Sequence, residues 1–115
     1  MSDNEFLTTN RQELRRGTVV LACLLALRER GYGYGLLDAL AESGVPVEAN
    51  TLYPLLRRLE GQGLLISEWD TTEARPRKFY RTSVEGLAMA RELQTEWEAL
   101  DAALSRLGAT QGESR

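Results

Sequence analysis

Nine consecutive residues, Val19 to Leu27 (VVLACLLAL), carry no polar side chain. A run of that length is compatible with a buried strand as well as with a helix. The polar flanks extend the pattern past strand length, from about Arg11 to Arg30, and Leu14, Leu21, Leu24 and Leu25 share one helical face. Gly31 supplies a stop. A helix apolar almost all round has to be covered on several sides, so the other elements are expected to pack about this one, with part of the cover coming from a second subunit. At 115 residues the chain reads as one domain with a modest core.

The segment that such a core would present lies between Val45 and Leu65, VPVEANTLYPLLRRLEGQGLL. Leu52, Leu55, Leu56 and Leu59 recur at three- and four-residue steps, the stripe of an amphipathic helix. The opposite face carries Asn50, Thr51, Tyr53, Pro54, Arg57 and Arg58, residue types that reach base edges and phosphates in a major groove. Taken alone, the stretch is equally an ordinary surface helix with two arginines. The next segment of the chain shifts that balance: apolar Leu64 to Ile66, a polar Arg-containing turn, then a second run with Phe79 and Tyr80. Strands are expected over Leu64–Asp70 and Arg77–Thr82, joined by Thr71–Pro76, with Arg75, Arg77 and Lys78 clustered on the hairpin. A helix followed by a basic hairpin is the layout of a winged helix-turn-helix.

Charge is distributed to match. The net charge is −3, yet residues 50–81 hold six basic and four acidic side chains, against five and seven before them and three and six after them. Of fourteen basic residues thirteen are arginine and one is Lys78, which suits two-pronged contacts to phosphate and guanine. Histidine is absent and Cys23 is the single cysteine. A Ser–His or Cys–His nucleophile and an intrachain disulfide are therefore impossible, and neither a metal site nor a cofactor is expected. Cys23, inside the apolar run, reads as a small buried hydrophobe rather than a redox sensor. The longest apolar run falls far below the roughly 20 residues of a membrane span, so a soluble cytoplasmic protein is expected.

The words NTLYPLLRRLE, SEW, RPRKFYR and VEG, with LRRGT at Leu14–Thr18, resemble the PadR family of bacterial transcriptional regulators, over about Leu14 to Leu107. The resemblance implies a homodimeric winged helix-turn-helix protein, most often a repressor, on an inverted-repeat operator in double-stranded DNA. By that resemblance the glycine-tyrosine-glycine element starts the first helix of the motif, and Tyr34 lies near the DNA backbone. Asn50, Thr51, Tyr53 and Pro54 would shape the groove contact, Arg57 would read or position on bases, and Arg75, Arg77 and Lys78 would grip phosphate. Glu48, Ala49 and Asn50 depart from the serine, proline and glycine of many members, and Glu73-Ala74 from the glycines of many wing tips.

The remaining elements come from local pattern. Residues 1–10 are polar and read as a flexible arm; Tyr32-Gly33-Tyr34-Gly35 reads as a turn needing positive dihedral angles. Leu36–Ser43 is a short helix stopped by Gly44, and Pro46 keeps the turn after it from extending it. The presenting helix starts near Glu48–Asn50, with the Asn50 side chain as its cap, a placement that limits the cost of Pro54. A long helix, Ser83–Leu107, is capped by Ser83 and ended by Gly108, roughly 37 Å at 1.5 Å per residue. Ala90, Leu93, Trp97, Leu100, Leu104 and Leu107 alternate three and four apart along it, a coiled-coil seam.

This gives a mainly α chain with a small β-hairpin: an arm (1–10), a winged helix-turn-helix (11–82), a dimerisation helix (83–108) and a disordered tail (109–115). On spacing, Trp97 fills the dimer core. The resemblance instead places it at a slot between subunits, stacking a planar aromatic effector with Leu93 and Leu100 as lining. The rival readings are a winged helix that binds protein and not DNA, and, less well supported, an enzyme, since the acids are scattered and no phosphate loop is present.

Overall fold

The computed structural model describes residues 3–113, with side chains described from 4 to 109. Among the described residues five helices and three short strands succeed one another: α1 (Asp3–Arg16), α2 (Thr18–Ala26), β1 (Gly31–Tyr32), α3 (Gly33–Glu42), α4 (Ala49–Gly61), β2 (Leu65–Asp70), β3 (Arg77–Thr82) and α5 (Val84–Glu113). The fold is mostly helical with a small antiparallel sheet of order β1-β3-β2.

The apolar run does form the central helix. Val19, Leu21, Cys23 and Leu24 of α2 are buried, and Leu27 after it. They meet Leu36 and Leu40 of α3, Leu52, Leu56 and Leu59 of α4, Leu64, Leu65 and Tyr80 of the hairpin, and Ala90 of α5 in one core. Burial raises the Cys23 thiol to about 12, which keeps it protonated and inert, in line with its reading as a hydrophobe.

The helix expected over Arg11–Arg30 is instead two helices that meet at Gly17, and the second ends at Ala26. Its early end has a specific cause. The Thr82 amide donates to the Leu27 carbonyl at 2.8 Å, and the Thr82 hydroxyl to the Leu24 carbonyl at 2.7 Å. Strand β3 thus takes the acceptors that a longer helix would have used. The chain then turns, and Gly31 and Tyr32 pair with Tyr80 and Phe79 as β1.

One helix end matches its expected stop, Gly44 after α3, and Gly63 closes α4 in the same way. Gly44 (φ 96°) and Gly63 (φ 78°) are the positive-φ residues among those described. Beyond each, the next amide reaches back to close the helix end, Val45 to the Leu40 carbonyl and Leu64 to the Leu59 carbonyl, at 2.8 and 2.9 Å. The turn expected over Tyr32–Gly35 is not one: Gly33, Tyr34 and Gly35 form the first turn of α3 with negative φ.

The ends of the chain differ from expectation as well. Residues 3–10, expected as a frayed arm, belong to α1, where the Asn10 side chain donates to the Phe6 carbonyl at 2.9 Å. Ser83 caps α5 as expected, accepting from the Gly86 amide at 2.9 Å. Gly108 does not end that helix, which continues to Glu113; one interior glycine costs only about 1 kcal/mol. Residues 109–113 of the expected tail are therefore helical, and 114–115 lie outside the described residues. At thirty residues α5 is roughly 45 Å long. Beyond Leu93 its seam leaves the core: Trp97, Leu100, Leu104 and Leu107 are 45%, 54%, 62% and 64% exposed.

Candidate nucleic-acid interface

Helix α4 buries Leu52, Leu56 and Leu59 and turns Asn50, Pro54, Arg57 and Gly61 outward. Those four positions step by four, three and four residues, so they form one stripe opposite the core. Glu48 precedes the helix with extended backbone and no side-chain capping bond; its carbonyl accepts the amides of Thr51 and Leu52 at 3.0 and 2.9 Å. Asn50 is therefore not the cap expected of it but the second helical residue, with its side chain exposed. Pro54 removes the amide that would have satisfied the Asn50 carbonyl, leaving that acceptor on the same outward stripe.

The flanks of α4 are anchored differently. Tyr53 is half-buried and lies over α3: a Cβ added at Gly33 would sit 2.5 Å from its Cε1. Glu60 accepts from the Ser67 hydroxyl of β2 and from Lys78 Nζ of β3 at 3.4 Å. The Ser67 bond, then Lys78, holds its carboxyl below the usual range. On the other flank Thr51 and Glu48 border an open groove of about 510 Å³ whose far wall is Thr9, Gln12, Glu13, Arg15 and Arg16 of α1. Sequence reasoning missed this neighbour of the helix-turn-helix. Its one signal is the basic pair Arg15-Arg16, which a continuous core helix absorbs.

On the hairpin, the expected cations are not equivalent. Arg75 is exposed and, among the described residues, in no ion pair. Arg77 bonds Glu73 at 3.1 Å, donates to the Tyr34 hydroxyl at 2.8 Å and lies over the Tyr32 ring at 4.5 Å. Tyr32 and Tyr34 stack, centroids 5.6 Å apart. Lys78 is half-buried between Glu60 and the Tyr80 ring. Asp70 stiffens the start of the turn, accepting from the Thr72 hydroxyl at 2.7 Å and amide at 3.1 Å and from the Tyr32 hydroxyl at 2.7 Å. The Thr72 hydroxyl first, then Tyr32, lowers its carboxyl to about 2. Two further residues are not among the site candidates named from the sequence: Arg30 stacks on Phe79 at 4.3 Å, and Trp69, paired in register with Lys78, is exposed.

Away from this surface, Leu93, Trp97, Leu100 and Leu104 of α5 line an apolar groove of about 610 Å³ closed by Leu14, Thr18 and Leu21, with Glu96 and Asp101 among its polar residues.

A helix-turn-helix, α3 and α4, with a β-hairpin after it braced on its second helix, defines a winged-helix protein. Residues 20–96 match the model of the Transcriptional regulator PadR-like family. The chain belongs to that family and is a PadR-type transcriptional regulator. A transcriptional regulator of Mycobacterium tuberculosis is similar, 37% identical over 90 residues that span 77% of this chain and 84% of that one. The crystal structure of a PadR family transcriptional regulator from Eggerthella lenta has a TM-score of 0.86 at 51% identity, over 90% of this chain and 93% of that one. Bacillus subtilis PadR in complex with operator DNA shares the fold, with a TM-score of 0.62 at 18% identity over 67% and 45% of the two chains.

Proposed function

We propose that the protein is a homodimeric, cytoplasmic repressor that binds an inverted-repeat operator through α4 and the wing and releases it when a small planar aromatic compound occupies the groove beside Trp97. The observation that carries the DNA reading is the outward stripe of α4: Asn50, Pro54 and Arg57 face solvent while Leu52, Leu56 and Leu59 hold the helix to the core. Arg57 supplies a two-pronged donor at that stripe, Asn50 and Thr51 supply hydrogen-bonding groups near the helix start, and Tyr34, Tyr53, Arg75, Arg77 and Lys78 would add contacts to the DNA backbone.

The exposed seam of α5 supports the dimer. Four large apolar side chains in a row, Trp97 to Leu107, are covered most simply by the same seam of a second copy. Two α4 helices held by that pairing would meet half-sites about 34 Å apart. The apolar groove lined by Leu93, Trp97 and Leu100 borders this seam, so a ligand there would bind one spacing of the two heads better than the other; only such a difference can drive release. Competition of operator DNA against unrelated duplex in a gel shift tests the reading. Specific retention is the expected result, and equal retention of both duplexes favours a winged helix that docks on protein.

A further inference from the structure

We infer that Glu73 is an internal stand-in for a DNA phosphate, seated on Arg77 and displaced when the wing meets a nucleic-acid backbone. The inference rests on the reading of the wing as a DNA-contacting element.

Arg77 is held from two directions by aromatic groups. Its guanidinium lies over the Tyr32 ring at 4.5 Å, and Nη1 donates to the Tyr34 hydroxyl at 2.8 Å. Tyr32 is itself fixed, stacked on Tyr34 and bonded to Asp70 at 2.7 Å. The planar fork is therefore oriented before any ligand arrives. Its other terminal nitrogen, Nη2, bonds Glu73 Oε1 at 3.1 Å.

Glu73 is held far less firmly. Its side chain is 65% exposed against 35% for Arg77, and it stands in the turn between β2 and β3, joined there to Arg77. An exposed pair of this kind adds little stability, so the carboxylate can leave at small cost. The seat it would vacate suits phosphate. Arg77 offers an N–H, and the Tyr34 hydroxyl, which accepts from Arg77, keeps its own proton to donate. Two oxygens of one phosphate group could take those two donors, where a single carboxylate oxygen now takes one. Glu73 would thereby weaken indiscriminate binding along DNA and leave affinity to sites where α4 also makes contact.

The test is a double-mutant cycle on the full chain, titrated with short random-sequence duplex DNA over a range of salt. E73Q should bind about threefold tighter than wild type at low salt, the size expected for removing an exposed pair. Its salt slope should be steeper by up to about one, the gain fading as salt rises. R77Q should bind more weakly, and E73Q should add nothing on the R77Q background. Equal affinity of E73Q and wild type would overturn the inference, and so would the same gain with and without Arg77, which would mark a long-range charge effect. Should R77Q disturb the hairpin, the NMR signal of the Arg77 Nε–H in the wild-type protein reads the same exchange. It should move on adding duplex toward its position in DNA-bound E73Q, and a signal indifferent to DNA contradicts the exchange. Failure of wild type to bind any duplex at low salt would remove the DNA reading itself.

Discussion

The ring of Tyr53 lies so close over Gly33 that a methyl group there would stand 2.5 Å from Cε1. This contact joins the first turn of α3 to the first half of α4. Replacing Gly33 by alanine should force the ring aside and destabilise the fold by about 1–3 kcal/mol, the usual cost of overpacking. Urea unfolding checks this. The double variant Gly33→Ala, Tyr53→Leu should recover part of the loss, because the bulk at the contact is then reduced.

Arg57 stands exposed at the outward stripe of α4. R57A should leave the folding stability within about 0.5 kcal/mol of wild type, as for surface substitutions generally. It should lower affinity for the operator by about 1–3 kcal/mol. A gel-shift titration alongside thermal unfolding separates the two effects.

Asp70 gives the wing a pH dependence whose sign is fixed. Its carboxyl titrates near 2 in the folded chain, lowered by bonds from Thr72 and Tyr32, against about 3.9 for an unperturbed aspartate. The ionised form is the one the fold favours, so its contribution is complete above about pH 4 and is lost as pH falls toward 2. Fluorescence of the neighbouring Trp69 should track that loss in an acid titration, and D70N should remove this part of the change.

Trp97 is the fluorophore at the apolar groove, and in the proposed dimer it is both seam and lining. Planar aromatic compounds should quench its emission, measured in a Trp69→Phe background to leave one indole. Leu104→Asp, which buries two like charges across a paired seam, should yield monomers in sedimentation velocity and weaken operator binding strongly.

Legibility in the sequence depended on the kind of force that shapes each element. Helix α4 was readable because Leu52, Leu56 and Leu59 repeat at helical spacing, and the end of α3 because Gly44, which adopts positive φ, follows it. The hairpin was readable from two β-prone runs around a polar turn. By contrast, β1 consists of Gly31 and Tyr32 and exists through pairing with Tyr80 and Phe79 of a distant strand, a signal that no local window holds. The end of α2 was misplaced for the same reason, since Thr82 claims its carbonyls from that strand. The first half of α1, residues 3–10, went unread as helix because its apolar residues Phe6 and Leu7 are exposed in the single chain and form no clear buried stripe. At the interface, residue types were readable but their engagements were not: Arg77 and Lys78 look as available as Arg75 in the sequence, and each already holds a carboxylate.

Selection of bound fragments from random duplex DNA by the purified protein tests the central claim most directly. The account predicts enrichment of a palindrome whose half-sites are centred about 34 Å apart, one helical turn or a multiple of it. No enrichment at low ionic strength, or a lone asymmetric site bound by one copy of the chain, would contradict it.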